Sequence, residues 1–211
     1  MVASVHGLSG TNLRAALSWV IQDIHQKGWV PGTGGNFSAV LSRDPLRLLM
    51  APSGVDKGLI QPEDLIEVSD RAQVLHGQGR ASAETLIHLA IVETVGAGAV
   101  LHTHSVFNTL ISIHYAAEGR VAIAGYEMLK GLAGIRSHDV TVEIPILPNT
   151  QDMQQASKAV RALIQSQHPY GFFLAGHGLY TWGKTLFEAR RHLEILEFLC
   201  ELTYRKLTIA G

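Results

Sequence analysis

The sequence predicts a single-domain α/β fold, three layers deep (α/β/α), with helices on both faces of a central, mostly antiparallel mixed sheet. Three observations carry this. The chain has 211 residues, 46% of them apolar, enough for one core and too few for two comfortable ones. Helix-periodic stretches interleave with β-prone runs joined by short turns, so strands are expected to pair as hairpins and not through a regular βαβ series. No internal repeat, low-complexity tract or interdomain linker breaks the pattern, so one domain is expected over residues 1–211.

The elements follow in order. Over residues 12–27 the apolar Leu13, Ala16, Leu17, Val20, Ile21 and Ile24 recur at helical spacing, and Gly28 stands where a helix stops. A Gly-rich loop in "WVPGTGGNFSAVL" feeds a β-prone run over 37–41, "SRDP" turns the chain, and "LRLLMA" returns as the second arm of a hairpin. "LIEVS" and "QVLHG" predict another strand pair around "DRA". Ser82 can cap a helix through "AETLIHLAIVETVG" that Gly96 ends. The run "AGAVLHTH" predicts a short strand, and Ser105 can cap the helix "VFNTLISIHYA" behind it. A short helix over 127–132, a strand in "VTVEIPIL", a helix over 151–165, strands in "GFFLAG" and "GLYTWG", and a long helix over 185–207 complete the series.

Composition excludes several functions. A formal charge of −1 with scattered Lys and Arg gives no basic stripe to neutralise a run of phosphates, so no nucleic-acid partner is expected. A small anionic ligand stays open. No segment approaches the ~20 apolar residues that cross a bilayer, and "MVASVHGLSG" lacks a cationic start with an apolar stretch behind it. A cytoplasmic protein without a membrane partner is the expectation. Cys200 is the only cysteine, so any metal must be held by His, Asp or Glu.

Those ligands have candidates in "VLHTHS". On a strand His102 and His104 project to the same side with Cα atoms ~7 Å apart, whereas on a helix they would point nearly opposite ways. Eleven histidines in this chain produce about half of one His-x-His pair by chance, so two ordinary histidines remain an equal reading. A catalytic zinc takes three protein ligands. His177 is the best third, since it lies between two glycines at the end of an apolar strand, where a side chain can emerge from a sheet edge. His25, His88 and His192 sit in helical patterns without a partner at useful spacing and read as ordinary histidines.

Two loops can hold an anion. "PGTGGN" at 31–36 is dense enough in glycine for successive N–H groups to face one point, yet its order of helix, loop, strand is the reverse of a dinucleotide fingerprint. "APSGVDKGLIQPEDL" brings Ser53, Gly54 and Lys57 together after a strand, Lys57 supplying charge. Each loop, taken alone, is more often a plain surface turn. No lysine stands in an evident apolar pocket, so a Schiff base is not indicated.

"GTGGNFS", "APSG", "SAET", "HTH" and "GHG" come in that order along nearly the whole chain, and in this the sequence resembles the class II aldolase (aldolase/adducin) family of zinc enzymes acting on sugar phosphates. The resemblance implies a class II aldolase-like fold and one zinc ion per subunit on His102, His104 and His177. It implies a small sugar-phosphate substrate, with Gly35, Asn36, Ser53, Gly54, Lys57 and Ser82 near its phosphate, and a homotetramer. The longer strings "YEMLKG" and "GHGLYTWGKT" are similar to those of the family's dehydratases, which implies a lyase with Glu127 as principal acid/base. Glu84 stands where the aldolases keep theirs and is expected to assist or to cover the metal. From the residues alone each glutamate reads as a solvated helix residue. A sugar-phosphate aldolase or epimerase using the same zinc site, and a non-enzymatic zinc module for assembly, are the alternatives.

Overall fold

The computed structural model of the protein describes residues 10–210, so the expectations drawn from "MVASVHGLSG" lie, apart from Gly10, outside the described residues. The chain runs α1 (Gly10–Gln26), β1 (Asn36–Arg43), β2 (Leu46–Met50), β3 (Ile66–Ser69), β4 (Val74–His76), α2 (Thr85–Val95), β5 (Ala99–Thr103) and α3 (Val106–His114). It continues through β6 (Arg120–Ala124), β7 (Thr141–Leu147), α4 (Met153–Gln167), β8 (Gly171–Leu174), β9 (Gly178–Gly183) and α5 (Leu186–Ala210). Short 3₁₀ helices lie at Pro62–Asp64 and Glu127–Gly131.

The nine strands form one sheet in the order β4-β3-β2-β1-β5-β9-β8-β7-β6. β7 and β8 are parallel, and every other neighbouring pair is antiparallel. Side chains alternate across each strand, which divides the core in two. Phe37, Leu101, Leu179 and Phe173 face α1, α3 and α5, whereas Val100, Tyr180, Trp182 and Phe172 face α2 and α4. The central strand β5 is buried along its whole length, as a strand covered on both faces must be, and so reads as nearly continuous apolar sequence. The three-layer, mostly antiparallel expectation holds. No described helix is long and apolar enough to cross a membrane.

Some elements depart from expectation for local reasons. β6 has no expected counterpart, although its residues alternate exposed and buried, because five residues after Gly119 are too few to stand out without their partner β7. Ser82 does not cap α2. Its Oγ accepts from the Glu84 amide, turning the chain so that Glu84 itself occupies the N-cap position. α4 begins after Asp152, whose carboxylate accepts from the Gln155 amide. Ser105 caps α3 as expected, accepting from the Asn108 amide, and Gly96 closes α2 at φ 66°.

Four chain segments converge at one end of the central strands: the start of β1, the end of β5, the β8–β9 turn and the N-terminus of α2. Register enforces this, because Asn36 pairs with His102 and His102 with Tyr180.

Candidate metal centre

β5 ends at Thr103, so His104 is the first residue beyond it, its amide bonded to the Trp29 carbonyl at 2.8 Å. His102 and His104 still project to one side, and the β8–β9 turn delivers His177 opposite them. His104 Nε2 lies 2.8 Å from His102 Nε2, which lies 3.3 Å from His177 Nε2. Among the described residues these three side chains form a group whose ligand atoms all lie within 4.8 Å of one another.

Their tautomers suit a metal. His102 Nδ1 is 3.0 Å from the Leu179 carbonyl, which can only accept, so the proton is on Nδ1 and the Nε2 lone pair faces the other rings. His177 Nδ1 approaches the Asn149 side-chain oxygen at 3.3 Å. Burial, then the neighbouring His104 and His177, push the His102 pKa well below its usual value. Burial and His177 lower that of His104 to about 4, with Glu84 pulling the other way. Three ring nitrogens facing one another can take a cation, and nitrogens around a tetrahedral ion at ordinary bond lengths lie about 3.3 Å apart. The residues therefore fit a divalent metal.

Glycines allow the rings this approach. A Cβ on Gly178 would stand 2.1 Å from the Thr103 carbonyl oxygen and 2.9 Å from both the His102 and His104 rings, and one on Gly34 would lie 2.9 Å from His104 Nδ1. The glycines beside the histidine motifs are thus a requirement of close packing.

Glu84 closes the centre. From the N-terminus of α2, where the helix dipole favours a carboxylate, its Oε1 lies 3.4 Å from His177 Nε2 and its Oε2 3.6 Å from His102 Nε2. Oε2 accepts from the Tyr180 hydroxyl at 2.7 Å and from the Asn36 amide nitrogen. Tyr180 is fully buried and stacks on His102, with ring centroids 3.9 Å apart. Burial, helped by the Glu84 charge, raises its pKa well above the usual phenol value, so it stays a donor. Sequence reasoning missed Tyr180, because a tyrosine in an apolar strand gives no signal until the strand's partners are known.

Beside the centre lies a cavity of about 240 Å³. Its lining includes Gly35, Asn36, Ser53, Gly54, Lys57 and Ser82, together with Glu84 and His104, so all six expected phosphate residues meet in one place. No lysine stands in an evident apolar pocket in the sequence, yet Lys57 is enclosed by the two loops. It is 1% exposed, and its Nζ donates to the Thr33 and Val55 carbonyls at 3.1 Å each, tying the two loops together. Burial pushes its pKa down, partly offset by Asp56. A larger cavity of about 670 Å³, bordered by Arg120, Glu143 and Tyr170, lies along the β6–β7 edge and holds none of these residues.

Glu127 is not brought to the imidazoles within the chain. It lies on the 3₁₀ helix after β6 with a 68% exposed side chain, paired with Lys130 and 3.5 Å from His138 Nδ1. His192 is the satisfied core histidine expected, donating to the Trp182 carbonyl and accepting from the Ala133 amide. His25 is partly buried, with a buried Nδ1 that has no partner. His88, like His192, is a satisfied buried histidine, and its partners tie it to the site: Nε2 bonds Asn36 Oδ1 and Nδ1 meets Ser38 Oγ at 2.7 Å. Its spacing of four from Glu84, one helical turn, was the available signal.

The profile described as Class II Aldolase and Adducin N-terminal domain matches residues 15–204. The chain belongs to this family. Among family relatives, the methylthioribulose-1-phosphate dehydratase of Stenotrophomonas maltophilia is 42% identical over 190 residues, covering 89% of this chain and 88% of that protein. The enzyme of the same name from Xanthomonas campestris pv. campestris is 43% identical, covering 89% and 87%. Among solved structures, L-fuculose-1-phosphate aldolase from Thermus thermophilus superposes with a TM-score of 0.76 at 26% identity, covering 96% of this chain and 99% of that one.

Proposed function

We propose that this protein is a zinc-dependent lyase that removes water from 5-methylthioribulose 1-phosphate to give 2,3-diketo-5-methylthiopentyl 1-phosphate, a step of methionine salvage. The observation that carries the reading is three imidazoles converging under Glu84 at the wall of a cavity lined by small, hydrogen-bonding loops. The names of its relatives, alike over about nine-tenths of both chains, supply the substrate.

His102, His104 and His177 would hold the metal, three imidazoles being the ligand set of a catalytic zinc, one per subunit. Bound there, zinc supplies Lewis acidity to a carbonyl oxygen, worth several kcal/mol as charge develops. The residues do the rest. Backbone and hydroxyl donors of Gly35, Asn36, Ser53, Gly54 and Ser82, with the Lys57 charge behind them, would orient the phosphate. A carboxylate must take the proton from C3, and a carboxylic acid must protonate the C4 hydroxyl as it leaves as water, after which the enol tautomerises to the diketone.

Two carboxylates are assigned to these transfers. Glu84 is held against the imidazoles. Glu127 is retained as the principal acid/base on the strength of "YEMLKG", and being exposed it acts only where a neighbouring chain or the bound substrate meets it. A cytoplasmic homotetramer, checked by light scattering, belongs to the same reading. Purified, metal-loaded protein should convert the substrate to diketone without releasing aldehyde. In Glu127→Gln the metal should be retained and nearly all dehydration lost, and full turnover in that variant would remove its role. Aldehyde release would instead favour a sugar-phosphate aldolase, a reading that Glu84 beside the imidazoles keeps in play. Global unfolding on chelation would favour a purely structural metal.

A further inference from the structure

Behind the metal centre runs a line of buried side chains that starts at two residues the proposed chemistry does not use, Ser38 and His88. His88, on α2, is fully buried. Its two ring nitrogens meet Ser38 Oγ and Asn36 Oδ1, and the other end of the same Asn36 amide donates to Glu84 Oε2. Asn36 is itself 7% exposed, so little water is available to replace a lost partner.

This line has a direction. A carboxylate can only accept, so the Asn36 NH₂ must face Glu84 and its oxygen must face His88. His88 must then present N–H at Nε2 and a lone pair at Nδ1, which the Ser38 hydroxyl can fill. The opposite tautomer would leave an acceptor of His88 facing the Asn36 oxygen, or turn the amide so that oxygen faces carboxylate. Burial without a charged partner keeps the ring neutral, with its pKa lowered to about 3.

We propose that His88 is a positioning residue: it fixes the orientation of the Asn36 amide and through it holds Glu84 Oε2 over the three imidazoles. The role rests on the metal-dependent reading above, but its first consequence does not require turnover. The consequence for Asn36 is that both ends of its side-chain amide are engaged, so its share in phosphate binding falls to its backbone and its remaining N–H.

The test uses the metal-loaded protein with ¹⁵N-labelled histidine, together with His88→Leu, His88→Gln, Asn36→Ala and the His88→Leu/Asn36→Ala double variant. The His88 tautomer, read by NMR, should be Nε2–H in the wild type. Partners standing behind metal-site groups typically matter by 10- to 100-fold, so His88→Leu should lower kcat by about that factor with KM little changed. Metal affinity in chelator competition should fall in parallel. His88→Gln, which keeps an N–H donor, should recover most of the loss, and His88→Leu should add nothing in the Asn36→Ala background. An Nδ1–H tautomer overturns the proposal, as do additive losses or a His88→Gln no better than His88→Leu. If His88→Leu does not fold, the tautomer and the His88→Gln and Asn36→Ala proteins decide, since His88→Gln must then match wild type. If the wild type shows no dehydration, the functional reading fails, while tautomer and metal affinity still decide this one.

Discussion

The two faces of β5 carry polar clusters of opposite character. Toward α2, His102 and, just past the strand, His104 aim lone pairs at one point beside a cavity. Toward α5, Thr103 and, beyond the strand, Ser105 and Asn108 surround Glu197, 3% exposed. There the carboxylate accepts from the Thr103 hydroxyl at 2.5 Å, the Ser105 hydroxyl at 2.5 Å and the Asn108 amide at 2.9 Å. Both clusters hold groups with shifted pKa values, since burial raises that of Glu197 against the pull of its three donors. Burial and a perturbed pKa therefore do not single out the centre. What does is the kind of group: around Glu197 donors meet one acceptor, whereas three imidazoles bring their ligand nitrogens together at one point, an arrangement that a shared cation fits.

The largest expected effect comes from removing one of the three imidazoles. His177→Ala should lose bound metal and turnover together, by at least about a thousandfold in kcat, because two histidines bind a divalent ion weakly. Metal analysis and circular dichroism of the same sample check it. Retained metal with one equivalent per chain would mean that the cluster is not the centre.

A change on the other face should do the reverse. Glu197→Gln keeps the shape but replaces one acceptor with a donor facing donors, which should cost about 1–3 kcal/mol of stability. Denaturant unfolding should register that loss, with metal content retained and kcat within about twofold of wild type at 25 °C. Lost activity at unchanged stability would erase the distinction between the faces.

The contrast also explains what was legible in the sequence. Helices α1, α3 and α5, the β1–β2 hairpin and the strand status of β5 could be read from periodicity and caps, because each depends on neighbours close along the chain. The three histidines and the loop residues from Gly35 to Ser82 could be read only as an ordered set resembling a family, and they do meet in one place. Tyr180, His88 and Glu197 could not be read as site partners, since their meaning comes from contacts 50 to 96 positions away. The buried state of Lys57 was hidden for the same reason: its stem is enclosed by the loops whose carbonyls it binds. Glu127 reverses the case, carried by its local string and without a partner at the centre in the single chain.

The smallest expected effect concerns acid stability. His88 is neutral in the fold, with a pKa near 3 against an ordinary 6.5 in the unfolded chain. Its neighbours that titrate are Tyr180, whose ring lies 5.9 Å away, and His102. Between those two pKa values the unfolded state binds the extra proton, so stability is fully present above about pH 6.5 and falls as the solution is acidified. His102, His104 and His192, all lowered, act in the same direction, while Glu197, raised above 4.5, acts oppositely by holding a proton longer in the fold. A difference measurement isolates one group: from about pH 7 to about pH 5.5, metal-free wild type should lose about 1 kcal/mol more than His88→Gln. Parallel curves for the two proteins would mean that His88 is charged or solvated in the fold, and the neutral line from Ser38 to Glu84 could not then stand as described.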